Sequence, residues 1–149
     1  MITIRSRVRK YAVDTKRMVQ DASIILTDLG YADFDLGILL TTNKAIQQYN
    51  RDFRHKDQPT DILAFPYHHD AQPGKRIAVK QEEDKNLGDL VISLEYVDKK
   101  ARQYECTFDY HLKRILVHGI CHLIGYDHID DADYHRMAKE EKRLLHKII

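Results

Sequence analysis

The chain has 149 residues, enough for one domain with a substantial buried core. Its 43% hydrophobic and 32% charged fractions mark a soluble globular protein rather than a disordered one, and no apolar run approaches the ~20 residues of a bilayer-spanning helix. Lys and Arg number 24 against 23 Asp and Glu, which excludes a global basic field, so any nucleic-acid contact must come from a local patch.

The first residues lack the apolar stretch of a signal peptide, and two cysteines, Cys106 and Cys121, are too few for a disulfide framework. A reducing cytoplasmic setting is expected. Ile2, Ile4, Ser6 and Val8 alternate with Thr3, Arg5, Arg7 and Arg9, the pattern of a half-buried strand. Its basic side, with Lys10, fits either a phosphate-holding face or a solvated one. Asp14 is placed to cap a helix over Thr15–Leu29, in which Met18, Ala22, Ile25 and Leu29 recur at helical spacing and Gly30 is the stop.

Phe34–Leu40 is a nearly continuous apolar run, short enough for an interior strand. Thr42 then offers a cap for a helix over Asn43–Phe53, with Ala45, Ile46, Tyr49 and Phe53 on its apolar side. The polar stretch Asp52–Asp61, which includes Pro59, reads as a loop, and Ile62–Phe65 as a strand ended by Pro66. Tyr67–Lys85 reads as an exposed excursion with a hairpin arm at Ile77-Ala78-Val79. Leu87–Ile92 is another strand, and Ser93 is placed to cap a helix reaching Tyr104.

Thr107 or Asp109 opens a longer helix. Its core stripe is Leu112, Leu116, Ile120 and Leu123, while His111, Ile115, His118 and His122 lie on a neighbouring face at the edge of a cleft. Asp130 or Asp131 begins a last helix running nearly to Ile149, whose charge run Lys139–Arg143 reads as a solvated face. No repeat, linker or domain boundary interrupts the chain. Elements of this order do not suit a doubly wound sheet, and the expected fold is a single α+β domain over residues 1–149, with helices packed over a small mixed sheet.

The chemistry concentrates in His118-Gly119-Ile120-Cys121-His122-Leu123-Ile124-Gly125-Tyr126-Asp127-His128. Residues four apart share a helix face, so His118 and His122 can reach one ion. Gly125 can then turn the chain so that His128 returns as a third ligand. Three neutral imidazoles with an open fourth position describe a catalytic zinc site holding one ion, since a structural site is usually closed by four protein ligands. Metalloproteases carry a glutamate beside the first histidine as general base, and Gly119 stands there instead, which disfavours peptide hydrolysis.

The stretch His118-Gly119 to His122-Leu123, followed by Gly125-Tyr126-Asp127-His128, resembles the signature of the YbeY family, the bacterial rRNA-maturation endoribonucleases. Two further blocks are similar to that family: Asn50–Pro66, and Leu87-Gly88-Asp89-Leu90-Val91-Ile92-Ser93. Cys121 departs from the family's usual aliphatic residue, and Ala64 from its frequent serine. The resemblance implies a metal-dependent, single-strand-specific endoribonuclease, with the ion held by His118, His122 and His128. It also implies a role in maturing the 3′ end of small-subunit ribosomal RNA and in ribosome quality control, with ribosomal proteins or the small subunit as partners. The family's active-site arginine carries over to Arg54.

A guanidinium suits the charge that builds on phosphoryl oxygens, because its planar fork holds two of them. Arg51 and Lys56 are the expected substrate-steering neighbours, and a surface ion pair with Asp52 or Asp57 is the other role open to Arg54. Asp61, Asp89 and Asp127 could orient a histidine or simply satisfy nearby backbone amides. Zinc lowers the pKa of its water towards ~7, which permits hydrolysis by metal-activated water, and the ligand set does not exclude attack by the ribose 2′-hydroxyl. Two further functions stay open: an assembly factor with a mainly structural metal, and a metal-dependent hydrolase of another substrate.

Overall fold

Strands β1 (Ile2–Ser6), β2 (Asp35–Thr41), β3 (Ile62–Pro66) and β4 (Asn86–Ser93) form one sheet in the order β1-β2-β4-β3. The structure is a computed structural model describing residues 1–149. β1, β2 and β4 run parallel, and β3 returns antiparallel along the outer edge of β4. Five helices connect and flank them: α1 (Thr15–Leu29), α2 (Asn43–Arg54), α3 (Leu94–Gln103), α4 (Phe108–Leu123) and α5 (Asp131–Leu145).

Each helix begins on a side-chain cap. Asp14, Thr42, Ser93, Thr107 and Asp130 accept hydrogen bonds from the amides of Arg17, Ala45, Tyr96, Tyr110 and Asp133, satisfying donors that a helix start leaves unpaired. Strand alternation then sorts the two faces of the sheet. Leu36, Ile38, Leu40, Ile62, Ala64, Leu90 and Ile92 point into the main core beneath α1, α3, α4 and α5. The opposite face holds only a small cluster, Ile46 of α2 against Leu63 and Val91. The result is the expected single α+β domain on a small mixed sheet.

α4 is the central helix. Leu112, Ile115, Leu116, Val117, Ile120, Cys121 and Leu123 are all buried, because the sheet, α3 and α5 enclose it on several sides. His111 is therefore not at the edge of a cleft as its spacing suggests. It is 3% exposed, packed edge-on against Tyr104, and neither ring nitrogen has a hydrogen-bond partner. Gly119 lets α4 lie close to the sheet, since a Cβ there would come within 2.5 Å of the Ile62 Cδ1 atom and 2.8 Å of a Leu90 methyl. A glutamate at this position would have to enter the core.

Other expectations shift at the edges. β1 ends at Ser6 rather than continuing to Val8. α2 runs one residue past Phe53 to Arg54, where His55 turns the chain with φ 59°. α5 stops at Leu145, short of Ile149. Residues 67–85 contain no hairpin arm, only a 3-10 turn at Glu82–Asp84. Ile77 is buried, and its amide donates to the Tyr31 hydroxyl at 2.9 Å, so hydrophobic anchoring replaces strand pairing.

Candidate metal centre

His118 and His122 leave α4 one turn apart, on the face that continues past Leu123 towards Gly125. Gly125 has φ 101°, and a Cβ on it would press within 2.5 Å of the Ala71 carbonyl oxygen. Only glycine permits both that backbone conformation and the close approach of the 71–72 backbone. The turn brings His128 back, and the ring nitrogens of His118, His122 and His128 all lie within 4.8 Å of one another.

Each helical histidine is held through its Nδ1 atom. His118 Nδ1 stands 3.0 Å from Glu141 Oε2 on α5, and His122 Nδ1 3.0 Å from the Tyr126 carbonyl oxygen. Both partners only accept hydrogen bonds, so both Nδ1 atoms carry the proton. With both rings neutral, the two Nε2 atoms face each other as lone pairs 3.2 Å apart. Two bare lone pairs at this distance repel unless a cation sits between them. Nitrogens each ~2.0–2.1 Å from a tetrahedral zinc would be separated by roughly 3.3 Å, so the His118–His122 pair fits such an ion, and His128 brings a third nitrogen within 4.8 Å of both. Burial, reinforced by His118 and His128, pushes His122 down to about 4, which keeps it neutral as a ligand must be.

The three histidines line one end of a cleft of about 510 Å³. Arg54 lines the same cleft, and its Nη2 donates to the Ala64 carbonyl at 3.0 Å, which steadies the guanidinium and leaves its other N–H groups available. No carboxylate pairs with Arg54. The surface ion pairs expected for it belong to Arg51, with Asp52 at 3.4 Å and Asp57 at 3.9 Å. Lys56 lines the cleft with Arg54, whereas Arg51 lies outside its lining. Asn50, buried beneath, donates to the Gln58 carbonyl at 2.9 Å and ties down the loop that carries Lys56.

Two of the three aspartates take the backbone roles. Asp61 accepts from the Ile62 amide at 2.7 Å, Asp127 from the His128 amide at 2.8 Å, and Asp89 lies on the opposite face of the sheet. Cys121 is fully buried in the main core, and burial pushes its thiol well up, so it is no thiolate ligand. Glu141 is the residue that sequence reading missed. It lies 23 positions from His118 inside a charge run that gives no local sign of an inward-facing carboxylate. His68 and His69, on the excursion, also line the cleft.

The sequence profile of the family described as endoribonuclease YbeY matches residues 3–149. A human protein named endoribonuclease YbeY is 33% identical over 147 residues, covering 99% of this chain and 87% of that protein. A relative of the same name from Alkaliphilus metalliredigens is 31% identical over 148 residues, covering 97% of this chain and 92% of its own length. A Thermotoga maritima protein solved in solution superposes with a TM-score of 0.65 at 24% identity, covering 99% of this chain and 89% of that one, which shows a shared fold. The match runs from β1 to the last residue and takes in the three histidines, Arg54 and the Gly125 turn: the chain belongs to the YbeY family of endoribonucleases.

Proposed function

We propose that this endoribonuclease depends on one zinc ion held by His118, His122 and His128, and that it cuts single-stranded ribosomal RNA in maturing the small-subunit 3′ end and in ribosome quality control. The observation that supports this reading most is the facing pair of Nε2 atoms, 3.2 Å apart, in a cleft that also receives Arg54. Zinc on three neutral imidazoles supplies a Lewis acid and lowers the pKa of water towards ~7.

The chain's own groups do the rest. Glu141 and the Tyr126 carbonyl hold the protons on Nδ1 and so aim both Nε2 lone pairs into the cleft. Arg54, steadied by the Ala64 carbonyl, offers its remaining N–H groups to the phosphoryl oxygens as negative charge develops on them. Lys56 steers the RNA phosphates at the same rim, and Arg51, partly neutralised by Asp52 and Asp57, adds charge from outside. Two free cysteines suit a cytoplasmic site of action, with the small subunit or its proteins as partners.

The test is cleavage of a ribosomal-RNA 3′-end substrate by purified, metal-verified protein beside folded Arg54→Ala and His122→Ala variants. Cleavage by the wild type alone supports the reading. A cyclic phosphate end identifies the 2′-hydroxyl as nucleophile, and a 5′-phosphate with a 3′-hydroxyl identifies water. Equal cleavage by all three proteins, or none by the metal-loaded wild type, overturns it, and the second result returns the chain to a ribosome-assembly role.

A further inference from the structure

On its face of the sheet α2 packs over β3 and β4. Beyond the cluster of Ile46, Leu63 and Val91, against which Leu39 of β2 also packs, a groove of about 640 Å³ runs between α2 and β1. One wall carries Arg5 and Arg7, whose guanidinium groups make no ion pair or hydrogen bond. The other wall carries Tyr49 and Phe53, their rings stacked 6.3 Å apart, and Phe53 meets Phe65 edge-on at 5.4 Å while remaining 63% exposed. On the floor the Asp89 carboxylate lies over Gly37.

Unpaired arginines facing exposed aromatic rings are the two parts of a single-strand site. Phosphates take the guanidinium groups, and bases stack on rings without regard to sequence. We propose that this groove is a second RNA subsite, holding a neighbouring stretch of the same strand whose scissile phosphate lies in the histidine cleft. The inference rests on the RNA-cutting function proposed above.

α2 joins the two places. It turns Tyr49 and Phe53 to the groove and Asn50 and Arg54 to the cleft, so the strand has only to cross a helix ~10–12 Å wide. Asp89 sets which side of the groove the phosphates take. It repels phosphates from the floor, which keeps the sugar-phosphate backbone along β1, and it accepts hydrogen bonds from base edges turned inward. A peptide is the competing occupant. The unpaired arginines and the continuity with the cleft through α2 favour the nucleic acid.

The test compares metal-loaded wild type with Arg5→Ala/Arg7→Ala and Phe53→Ala proteins on two substrates. A trinucleotide occupies the cleft alone, whereas a single-stranded RNA of about 12 nucleotides reaches both sites. Both variants should bind the longer RNA about tenfold more weakly, from lost phosphate contacts and lost stacking respectively. The double-arginine variant should also reduce the slope of log affinity against log salt by about 1.4, from two phosphate contacts. Trinucleotide cleavage should be unchanged in both. Equal affinity of all three proteins for the longer RNA overturns the subsite. If the double-arginine variant then loses binding to RNA-free ribosomal proteins, the groove belongs to a protein. Failure of the wild type to cut either RNA strikes the underlying function instead, and takes the subsite with it.

Discussion

His118 Nδ1 and Glu141 Oε2 stand 3.0 Å apart, a contact between α4 and α5 that fixes which nitrogen of His118 faces the cleft. The carboxylate accepts a hydrogen bond from Nδ1–H and makes the opposite nitrogen a better donor to a metal. Glu141→Ala should weaken zinc binding about 10- to 100-fold. Glu141 is partly exposed, so the protein should still fold. Chelator competition on the purified protein measures the change, and an unaltered affinity would remove Glu141 from the site.

Gly119 sits where packing admits no side chain. Gly119→Ala should cost about 1–3 kcal/mol in urea unfolding, as its methyl pushes into Ile62 and Leu90. Gly119→Glu, which restores the metalloprotease pattern in sequence, should cost more, because the carboxylate enters an apolar layer. Casein hydrolysis by that variant, if it folds, should be absent. Appearance of the activity would show that the glutamate reaches the cleft after all.

Gly125 combines φ 101° with close backbone contact to Ala71 and Gln72. Gly125→Ala should destabilise the protein by about 1–3 kcal/mol. It should also weaken zinc binding, because the turn delivers His128. Calorimetric melting with and without zinc separates the two effects: a smaller zinc-induced rise in Tm than in wild type reports displacement of His128.

The metal-free protein should lose stability on mild acidification. Burial, helped by Arg114 and Lys100, holds His111 below its ordinary range, and burial holds His122 down at about 4. Both folded values lie below the unfolded value of about 6.5, so the unfolded chain takes up more protons as pH falls. The stability associated with these neutral rings is complete above about pH 6.5 and is lost as pH falls through the folded values. Urea midpoints at about pH 7.5 and about pH 5 should differ, and His111→Leu should shrink the difference. An unchanged difference in that variant would assign the loss to other groups.

Local signals in the sequence were strong enough to place all five helices. Asp14, Thr42 and Ser93 cap helices as their positions suggest, and the choices left open resolve to Thr107 and Asp130. The histidine cluster was legible for the same reason, since spacing of four and a turn glycine are local geometry. Contacts across long separations left no such trace. Glu141 reaches His118 from another helix, and Ile77 is anchored by Tyr31, 46 residues away, so its apolar run looked like a strand. Asp89 shows a different difficulty. Strand alternation places it opposite Leu90 and Ile92, but β4 is apolar on both faces, and nothing local says which face holds the histidines.

The strand order bears on how this chain becomes whole. β4 is last in sequence yet lies between β2 and β3, and β3 has no other partner. A fragment ending before Asn86 leaves β3 unpaired and one edge of β2 open, with Leu36, Ile38, Ile62 and Ala64 uncovered. During synthesis the first half of the molecule is therefore sticky and unfinished until β4 slots into the gap. Proteolytic nicking between β3 and β4 should be tolerated only while β4 stays in place, and its withdrawal should unzip the sheet from the middle.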